Sequence, residues 1–180
     1  MKMFLCIVPL VLLFCFTIAC QDKAAMAELE KYKAQAKLEE QNKEIGRNFF
    51  AAIDKNDFEK LKELSSADFS FREPGVAEPI GLDAIIQVIR THYAAFPDWK
   101  HTIEDIVAEG NMVAIKLVQN GTHKAPFEGI LPTDKMVTMP ALFFMVVDNG
   151  KVKGGWAIED YLGLYQQLGM ELKPIAVKKK

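Results

Sequence analysis

Two adjacent carboxylates lie near the end of the chain, at a point where the sequence pattern changes. Lys151 to Gly169 reads as a last strand that runs directly into a short helix, and Trp156, Glu159 and Asp160 lie around that junction. A carboxylate at such a junction lies at the mouth of whatever the preceding strands enclose, where it can take up or release a proton. We therefore expect any reactive group of this protein at this junction.

Other polar side chains are candidates for binding a ligand. Gln119 and His123 share strand parity with a run of apolar residues, so both can face the enclosed side of a sheet. His92 and Tyr93 lie on or beside the buried side of a helix, and Trp99 precedes the next strand. The alternative for both histidines is a hydrogen-bonded place in the core, because buried polar groups are normally paired.

The composition narrows the choice of ligand. The chain of 180 residues is 50% hydrophobic and 26% charged, and its net charge of -2 gives no electrostatic reason to expect a nucleic acid. Three histidines without an i, i+4 pair or a neighbouring carboxylate cluster predict no metal site. Phosphate-binding glycine loops and a serine nucleophile elbow are also absent from the sequence. The pattern favours a small, neutral or hydrophobic ligand.

The amino terminus has the features of a signal peptide. Lys2 is followed by an almost uninterrupted apolar run from Met3 to Ala19, and Cys20 ends that run. The sequence Thr17-Ile18-Ala19-Cys20 resembles the lipobox of bacterial lipoproteins, which implies lipidation of Cys20 and a membrane anchor. By the sorting rule of such lipoproteins, Gln21 implies the outer membrane, facing the periplasm. An uncleaved anchor and an ordinary cleaved signal are the alternatives.

Residues 21–44 are rich in Ala, Glu, Lys and Gln and contain neither Gly nor Pro, which predicts a helix. Their apolar stripe is thin, so a solvated helical stalk is the preferred interpretation over a short coiled coil. All three cysteines, Cys6, Cys15 and Cys20, precede this segment. The remainder of the chain therefore has no disulfide and no cysteine nucleophile.

From residue 45 the pattern predicts a folded domain. Helical spacing and stop signals predict helices that begin near Ile45, Phe58 and Gly81, with a brief strand around Phe69. After Trp99 the period becomes two, and Gly110-Asn111 and Asn149-Gly150 predict hairpin turns. Helices followed by strands predict an α+β fold, with helices packed on one face of a strongly curved antiparallel sheet. We assign residues 45–170 to this domain and 171–180 to a basic tail.

Three motifs along the domain resemble a known family. They are Phe96-Pro97-Asp98-Trp99, the run from Gly121-Thr122-His123 to Gly129-Ile130-Leu131-Pro132-Thr133, and Trp156 to Gly169 with the spacing W-x-x-x-D-x-L-G-L. These sequence motifs resemble those of the SnoaL-like polyketide cyclases, often labelled ester cyclases. The order of helices and strands resembles that of the cone-shaped nuclear transport factor two-like proteins. The resemblance covers about Ile45 to Gly169.

The resemblance implies an internal pocket and an aldol ring closure without a metal or an organic cofactor. Asp160 matches the aspartate that acts as general acid/base in these cyclases, and an apolar pocket would raise its pKa. Trp156 and the apolar strand Met136–Val147, which we expect to be covered on both faces, could form that pocket. Relatives often carry polar side chains at the positions of Phe143, Val146, Gly154 and Gly155, so the pocket here is more apolar and lacks a partner for Asp160.

Two functions follow from this sequence. In the first, Asp160 acts as acid/base on a small hydrophobic carbonyl compound, and Glu159 is the fallback acid. In the second, the same pocket holds a hydrophobic ligand at the cell envelope without catalysis. Asp160 is also a good residue to cap the terminal helix, and that role is compatible with either function. The sequence leaves open whether the domain forms a homodimer through its exposed sheet face.

Overall fold

The computed structural model describes residues 7–72, 74–75 and 77–173, with side chains from residue 23 onward. In chain order the helices and strands are α1 (Ile7–Asp54), α2 (Phe58–Leu64), β1 (Ser65–Arg72), α3 (Leu82–Ala95), β2 (Lys100–Glu109), β3 (Met112–Thr122), β4 (Met136–Asp148), β5 (Lys151–Glu159) and α4 (Tyr161–Gln167). The chain divides into two compact units, Met1–Glu39 and Glu40–Lys180.

The described part of the first unit is helical, as its composition predicts. Residues 23–38 are exposed to solvent, and Lys33 forms an ion pair of 3.0 Å with Glu30. Among the described residues, no helix combines the length and apolar character that crossing a membrane requires. Residues 1–6 of the expected signal peptide, the side chain of Cys20 and residues 174–180 of the expected tail lie outside the description.

The second unit contains a five-stranded sheet in the order β1-β5-β4-β3-β2. Both hairpin turns are confirmed, and Asn149 and Gly150 have positive φ values of 48° and 75°, as a two-residue hairpin turn requires. The antiparallel arrangement is confirmed for β2 to β5 but is wrong for β1, which pairs parallel to β5. Because helix α3 and three strands separate β1 from β5, the chain has room for the crossover that a parallel pair needs.

One face of the sheet carries the core, and the α+β class with helices on one face is confirmed. The end of α1 packs closely there: a Cβ atom at Gly46 would lie 2.9 Å from the Ile115 side chain. Strand β4 alternates between buried and exposed residues along most of its length, with Val137 buried and Met136 exposed. The expectation that this strand is covered on both faces is therefore wrong, because the outward-facing residues Met136 and Leu142 are exposed to solvent.

Two consecutive glycines allow β5 to lie between β1 and β4. Gly154 has a φ of +135°, and a Cβ atom built there would lie 1.7 Å from the carbonyl oxygen of Ser70 on β1. A Cβ atom at Gly155 would lie 1.8 Å from the carbonyl oxygen of Phe144 on β4. Only glycine leaves room for both neighbouring backbones at this point, so these residues permit the strand order.

A second apolar cluster explains two of the sequence motifs. It contains Ala95, Phe96, Trp99, Phe127, Val137, Met139, Leu164 and Leu168. Asp98 accepts hydrogen bonds from the backbone N–H of Thr122 at 2.6 Å and from its hydroxyl at 2.7 Å. A Cβ atom at Gly121 would lie 2.5 Å from the Trp99 ring. The FPDW and GTH motifs therefore contact each other and fix the loop after α3 to the end of β3.

Replacing Asp98 with alanine is expected to lower the free energy of unfolding by about 1 kcal/mol at pH 7, because both hydrogen bonds are exposed to solvent. These hydrogen bonds lower the pKa of Asp98 below its ordinary value. Its stabilising contribution is therefore complete above the pKa of an unfolded aspartate, about 3.9, and is lost as the pH falls through the lower folded value. Urea denaturation of the wild type and of Asp98→Ala at pH 7 and at strongly acidic pH measures the loss in free energy of unfolding at each pH. An equal loss at both pH values would contradict a stabilising role of the ionised carboxylate.

Candidate active site

An apolar cavity of about 90 Å³ lies between the sheet and the helices of the second unit. Most of its wall is aromatic or aliphatic, and these residues come from α1, β1, α3, β4 and β5: Phe49, Phe50, Ile53, Phe69, Phe71, Ile85, Val88, Ile89, Phe143, Met145, Val152 and Gly154. Seven polar or amphipathic side chains complete it: His92, Tyr93, Trp99, His101, Gln119, Glu159 and Tyr161. A cavity with this lining suits a small hydrophobic molecule with a few polar atoms.

A chain of hydrogen bonds leads from the core to a carboxylate in the cavity wall. The indole N–H of Trp99 donates to Oε1 of Gln119 at 3.2 Å, and Nε2 of Gln119 donates to Oε1 of Glu159 at 2.6 Å. Because an indole nitrogen can only donate, the amide of Gln119 is fixed with its NH₂ group toward Glu159. Within the described residues, no hydrogen bond holds the other oxygen of Glu159, Oε2.

The surroundings of Glu159 shift its pKa. Partial burial disfavours its charged form and raises the pKa of this carboxyl, while the hydrogen bond from Gln119 and the charge of His101 partly oppose that rise. A carboxyl with a raised pKa is a stronger base when ionised, and it keeps its proton to a higher pH than an ordinary carboxyl, so it can also act as an acid. The site therefore contains a carboxylate with the properties of a general acid/base.

A second carboxylate, Asp54, ends helix α1 and holds His101. Oδ1 of Asp54 accepts the backbone N–H of His101 at 3.0 Å, lies 2.7 Å from Nδ1 of the same ring, and is 3.5 Å from the Tyr93 hydroxyl. Burial and the charge of Asp54 raise the pKa of Tyr93 well above its ordinary value, so this residue is a neutral donor. The side chain of His101 is only 6% exposed.

His92 and Tyr161 form a further pair in the wall. Nδ1 of His92 lies 3.0 Å from the carbonyl oxygen of Val88, which can only accept, so this nitrogen carries a proton. Nε2 of His92 lies 3.4 Å from the hydroxyl of Tyr161. The ring also packs against Trp99 and Phe127, with centroid distances of 5.8 and 5.2 Å. The pair therefore fixes a ring and a hydroxyl at the cavity surface.

Five of the residues selected from the sequence are brought together in this wall: His92, Tyr93, Trp99, Gln119 and the fallback acid Glu159. His123 is buried as its strand parity predicts, but it packs against the second apolar cluster, stacked on Phe96 at 5.1 Å, and is not part of the cavity lining. Its Nδ1 lies 3.2 Å from the Thr133 hydroxyl. The ligand-binding interpretation of His123 therefore gains no support from its position.

Trp156 and Asp160 lie away from the cavity lining. Trp156 is 40% exposed and stacks on Phe144 at 4.6 Å, on the outer face of the sheet. Asp160 is exposed and accepts the backbone N–H of Gly163 at 2.8 Å, as the N-cap of α4. Because side chains alternate along β5, Ala157 and Glu159 face inward while Trp156 and Ile158 face solvent. The catalytic role of Asp160 stays a prediction, and its neighbour Glu159 occupies the cavity wall.

The sequence interpretation missed Asp54 and His101 as site residues. Asp54 resembled an ordinary turn residue, and His101 resembled the start of a strand. One signal was present: His101 lies opposite Gln119 when the predicted hairpin is paired, and the structure has this register. Among residues 23–72, 74–75 and 77–173, no group of three His, Cys, Asp or Glu side chains is arranged to hold a metal ion.

Comparison with known proteins identifies the family. The family model described as SnoaL-like polyketide cyclase matches residues 43–168. The chain belongs to this family. The match runs from the end of α1 through α4, so the SnoaL-like domain contains the cavity and every polar residue of its wall. A search of the curated proteins finds no match.

Solved structures support the same assignment for this SnoaL-like chain. IdmH from Streptomyces antibioticus, a proposed polyketide cyclase, is 30% identical over 72% of this chain and 99% of its own, with a TM-score of 0.68. A proposed SnoaL-like polyketide cyclase from Jannaschia sp. CCS1 shares the fold, with 19% identity, a TM-score of 0.67, and coverage of 75% and 96% of the two chains. TsrD from Streptomyces laurentii also shares the fold, with 23% identity, a TM-score of 0.63, and coverage of 72% and 95%.

Proposed function

We propose that this SnoaL-like protein catalyses acid/base chemistry on a small hydrophobic carbonyl compound, and that Glu159 is the proton-transfer group. The observation that carries the proposal is the position of this carboxylate: it lies in the wall of an apolar cavity, is held by Gln119, and has a raised pKa. Membership of a family of cyclases supports a cyclase or isomerase type of reaction.

The reaction that fits these groups is an intramolecular aldol closure. Glu159 takes a proton from the carbon next to a carbonyl group, which leaves an enolate in the cavity. The enolate carbon attacks a second carbonyl of the same molecule, so that one C–C bond forms and the C=O double bond becomes a C–O single bond. The resulting alkoxide takes up the proton that Glu159 accepted, directly or through solvent, and Glu159 returns to its ionised form. The lining is mostly apolar, and a substrate that displaces water from such a cavity strengthens the electrostatic interactions inside it.

Glu159 is preferred to Asp160 for a geometric reason. A general base must come within hydrogen-bond reach of the proton that it removes. Glu159 is part of the cavity wall, whereas the carboxylate of Asp160 caps α4 and is exposed to solvent. The two residues are adjacent in sequence, so the family motif that includes Asp160 also includes Glu159, the last residue of β5.

Deuterium exchange tests the proposal without knowledge of the natural substrate. The probe is 2-tetralone, a small aromatic ketone, incubated with the full-length protein in deuterated buffer containing detergent. NMR measures how fast deuterium replaces the protons next to the carbonyl group. We expect this exchange to be faster with the protein than with free glutamate at the same carboxylate concentration and pH. Binding of the ketone without faster exchange would contradict the proposed catalytic function. It would favour the alternative, a module that binds a hydrophobic ligand without catalysis.

We also propose that Cys20 carries the lipid anchor. The apolar run before it and the small Ala19 support this proposal. In a bacterial host, wild-type protein and a Cys15→Ala control are expected to incorporate labelled fatty acid and to fractionate with membranes, because two or more acyl chains anchor a protein stably. The Cys20→Ala protein is expected to do neither, and incorporation of label into it would refute the proposal.

A further inference from the structure

A histidine held by a carboxylate lies in the same cavity wall as Glu159. We propose that His101, oriented by Asp54, is a second catalytic residue. It donates a proton to the substrate oxygen, while Glu159 removes a proton from the carbon next to the carbonyl group. This inference rests on the proposed function, and it assigns a specific role to two residues that the family motifs do not include.

The contact with Asp54 fixes the orientation of the imidazole ring. Nδ1 of His101 lies 2.7 Å from Oδ1 of Asp54, and the backbone N–H of His101 donates to the same oxygen at 3.0 Å. A carboxylate can only accept, so Nδ1 carries a proton and Nε2 is the nitrogen left for proton exchange. The ring packs at 5.2 Å against Phe50, another residue of the cavity wall. The arrangement resembles the orienting role of an acidic residue behind a catalytic histidine.

The position of His101 relative to Glu159 supports separate proton-transfer roles for the two side chains. His101 and Gln119 are directly opposite each other on β2 and β3, and Gln119 donates to Glu159 at 2.6 Å. His101 is also close enough for its charge to lower the pKa of Glu159. Two proton-transfer groups in the wall of one cavity can act on two atoms of one carbonyl compound. A protonated imidazole and an ionised carboxylate are the pair that such a step needs.

The proton balance is complete with these groups. The C–H bond breaks, its proton moves to Glu159, and its electrons form the enolate. When the enolate attacks the second carbonyl, the new alkoxide oxygen takes the proton from Nε2 of His101 and becomes a hydroxyl. The neutral imidazole then recovers a proton from Glu159, directly or through solvent, and both groups return to their starting forms.

The test is the exchange of 2-tetralone by the full-length protein, in which the ketone oxygen takes the role of the accepting oxygen. We expect kcat to fall by about 10²-fold in His101→Ala, with little change in KM, since general acid catalysis of this kind contributes about 10²–10⁴-fold. Added imidazole is expected to restore part of the rate in His101→Ala but not in Glu159→Gln. His101→Asn keeps an N–H group toward Asp54 and loses Nε2, so it is expected to keep the stability of the wild type and lose the rate.

Asp54→Asn and the exposed neighbour Thr102→Ala complete the series. The first is expected to lower kcat by about 10-fold, because a misoriented histidine is a poorer acid, and the second should leave it unchanged. If Glu159→Gln is inactive while His101→Ala and His101→Asn stay within about twofold of the wild type, the role of His101 is refuted and the proposed function stands. If the wild type gives no exchange, the proposed function itself fails. A loss in His101→Ala without imidazole rescue, together with an active His101→Asn, would show a structural role and overturn the inference.

Discussion

Glu159→Gln is expected to slow the exchange of 2-tetralone by about 10²–10⁴-fold, because it removes the carboxylate that accepts the carbon-bound proton. The amide of Gln is almost the same size as the carboxylate, and its oxygen can still accept the hydrogen bond that Gln119 now donates to Oε1 at 2.6 Å. The cavity should therefore keep its shape and its affinity for the ketone. The expected change is in kcat, with KM nearly constant.

Asp160→Asn is the matched control for this substitution. It also replaces a carboxylate by an amide, one residue further along the chain, and an asparagine can still cap α4 by accepting from Gly163. We expect exchange close to the wild-type rate. A result in which Asp160→Asn is inactive and Glu159→Gln is active would reverse the assignment and would confirm the prediction made from the sequence motif.

The pH dependence follows from the direction of the pKa shift. The base must be ionised, so the rate falls as the pH falls through the pKa of Glu159, and burial places this pKa above the ordinary value of about 4.3. A group with a raised folded pKa favours folding at low pH, and that contribution is lost as the pH rises through the folded pKa. Near neutral pH, Glu159→Gln is therefore expected to be no less stable than the wild type, as urea denaturation can show.

Gly154→Ala is expected to lower the free energy of unfolding by at least about 3 kcal/mol, since a φ of +135° is almost restricted to glycine and strain of this kind costs about 1–3 kcal/mol alone. The added methyl group would also lie 1.7 Å from the carbonyl oxygen of Ser70. Backbone cannot move aside as a flexible side chain can, so β1 must separate from β5. Urea denaturation followed by circular dichroism measures the loss.

Gly150→Ala is the control that distinguishes the effect of the clash with Ser70 from the effect of backbone strain. Gly150 also has a positive φ, +75°, but a Cβ atom there would meet no atom within 4 Å. Its replacement is expected to cost about 1–2 kcal/mol, the strain of a left-handed residue. Equal losses in the two variants would mean that contact with Ser70 contributes nothing, and the close approach of β1 and β5 would then be unnecessary for stability.

Local signals explain which parts of this fold could be predicted. The Asn149-Gly150 turn and the Asp160 cap depend on neighbouring residues, and both are found where the sequence places them. The parallel partner of β1 could not be predicted, because the pairing of Phe71 with Gly155 joins segments about 80 residues apart without any local marker.

The site was predicted less completely for a similar reason. The motif drew attention to Asp160, but the direction of a side chain near a strand end depends on parity, and Gly154 and Gly155 obscure the alternation along β5. Asp54 and His101 are separated by 46 other residues and meet only after β2 packs beside the end of α1. A contact of this kind follows from the tertiary structure and from no spacing in the chain.

The parallel pairing of β1 with β5 also determines when the cavity can exist. Phe69 and Phe71 on β1 form part of its wall, and β1 has its sheet partner in Val152 to Trp156. During synthesis the early part of the domain must therefore wait for these late residues, since closing so long a loop precedes any pairing that stabilises it. A chain that ends before Lys151 would have an incomplete wall. The ability to hold a ligand is thus acquired in the last stage of folding, when the first strand of the sheet meets the last.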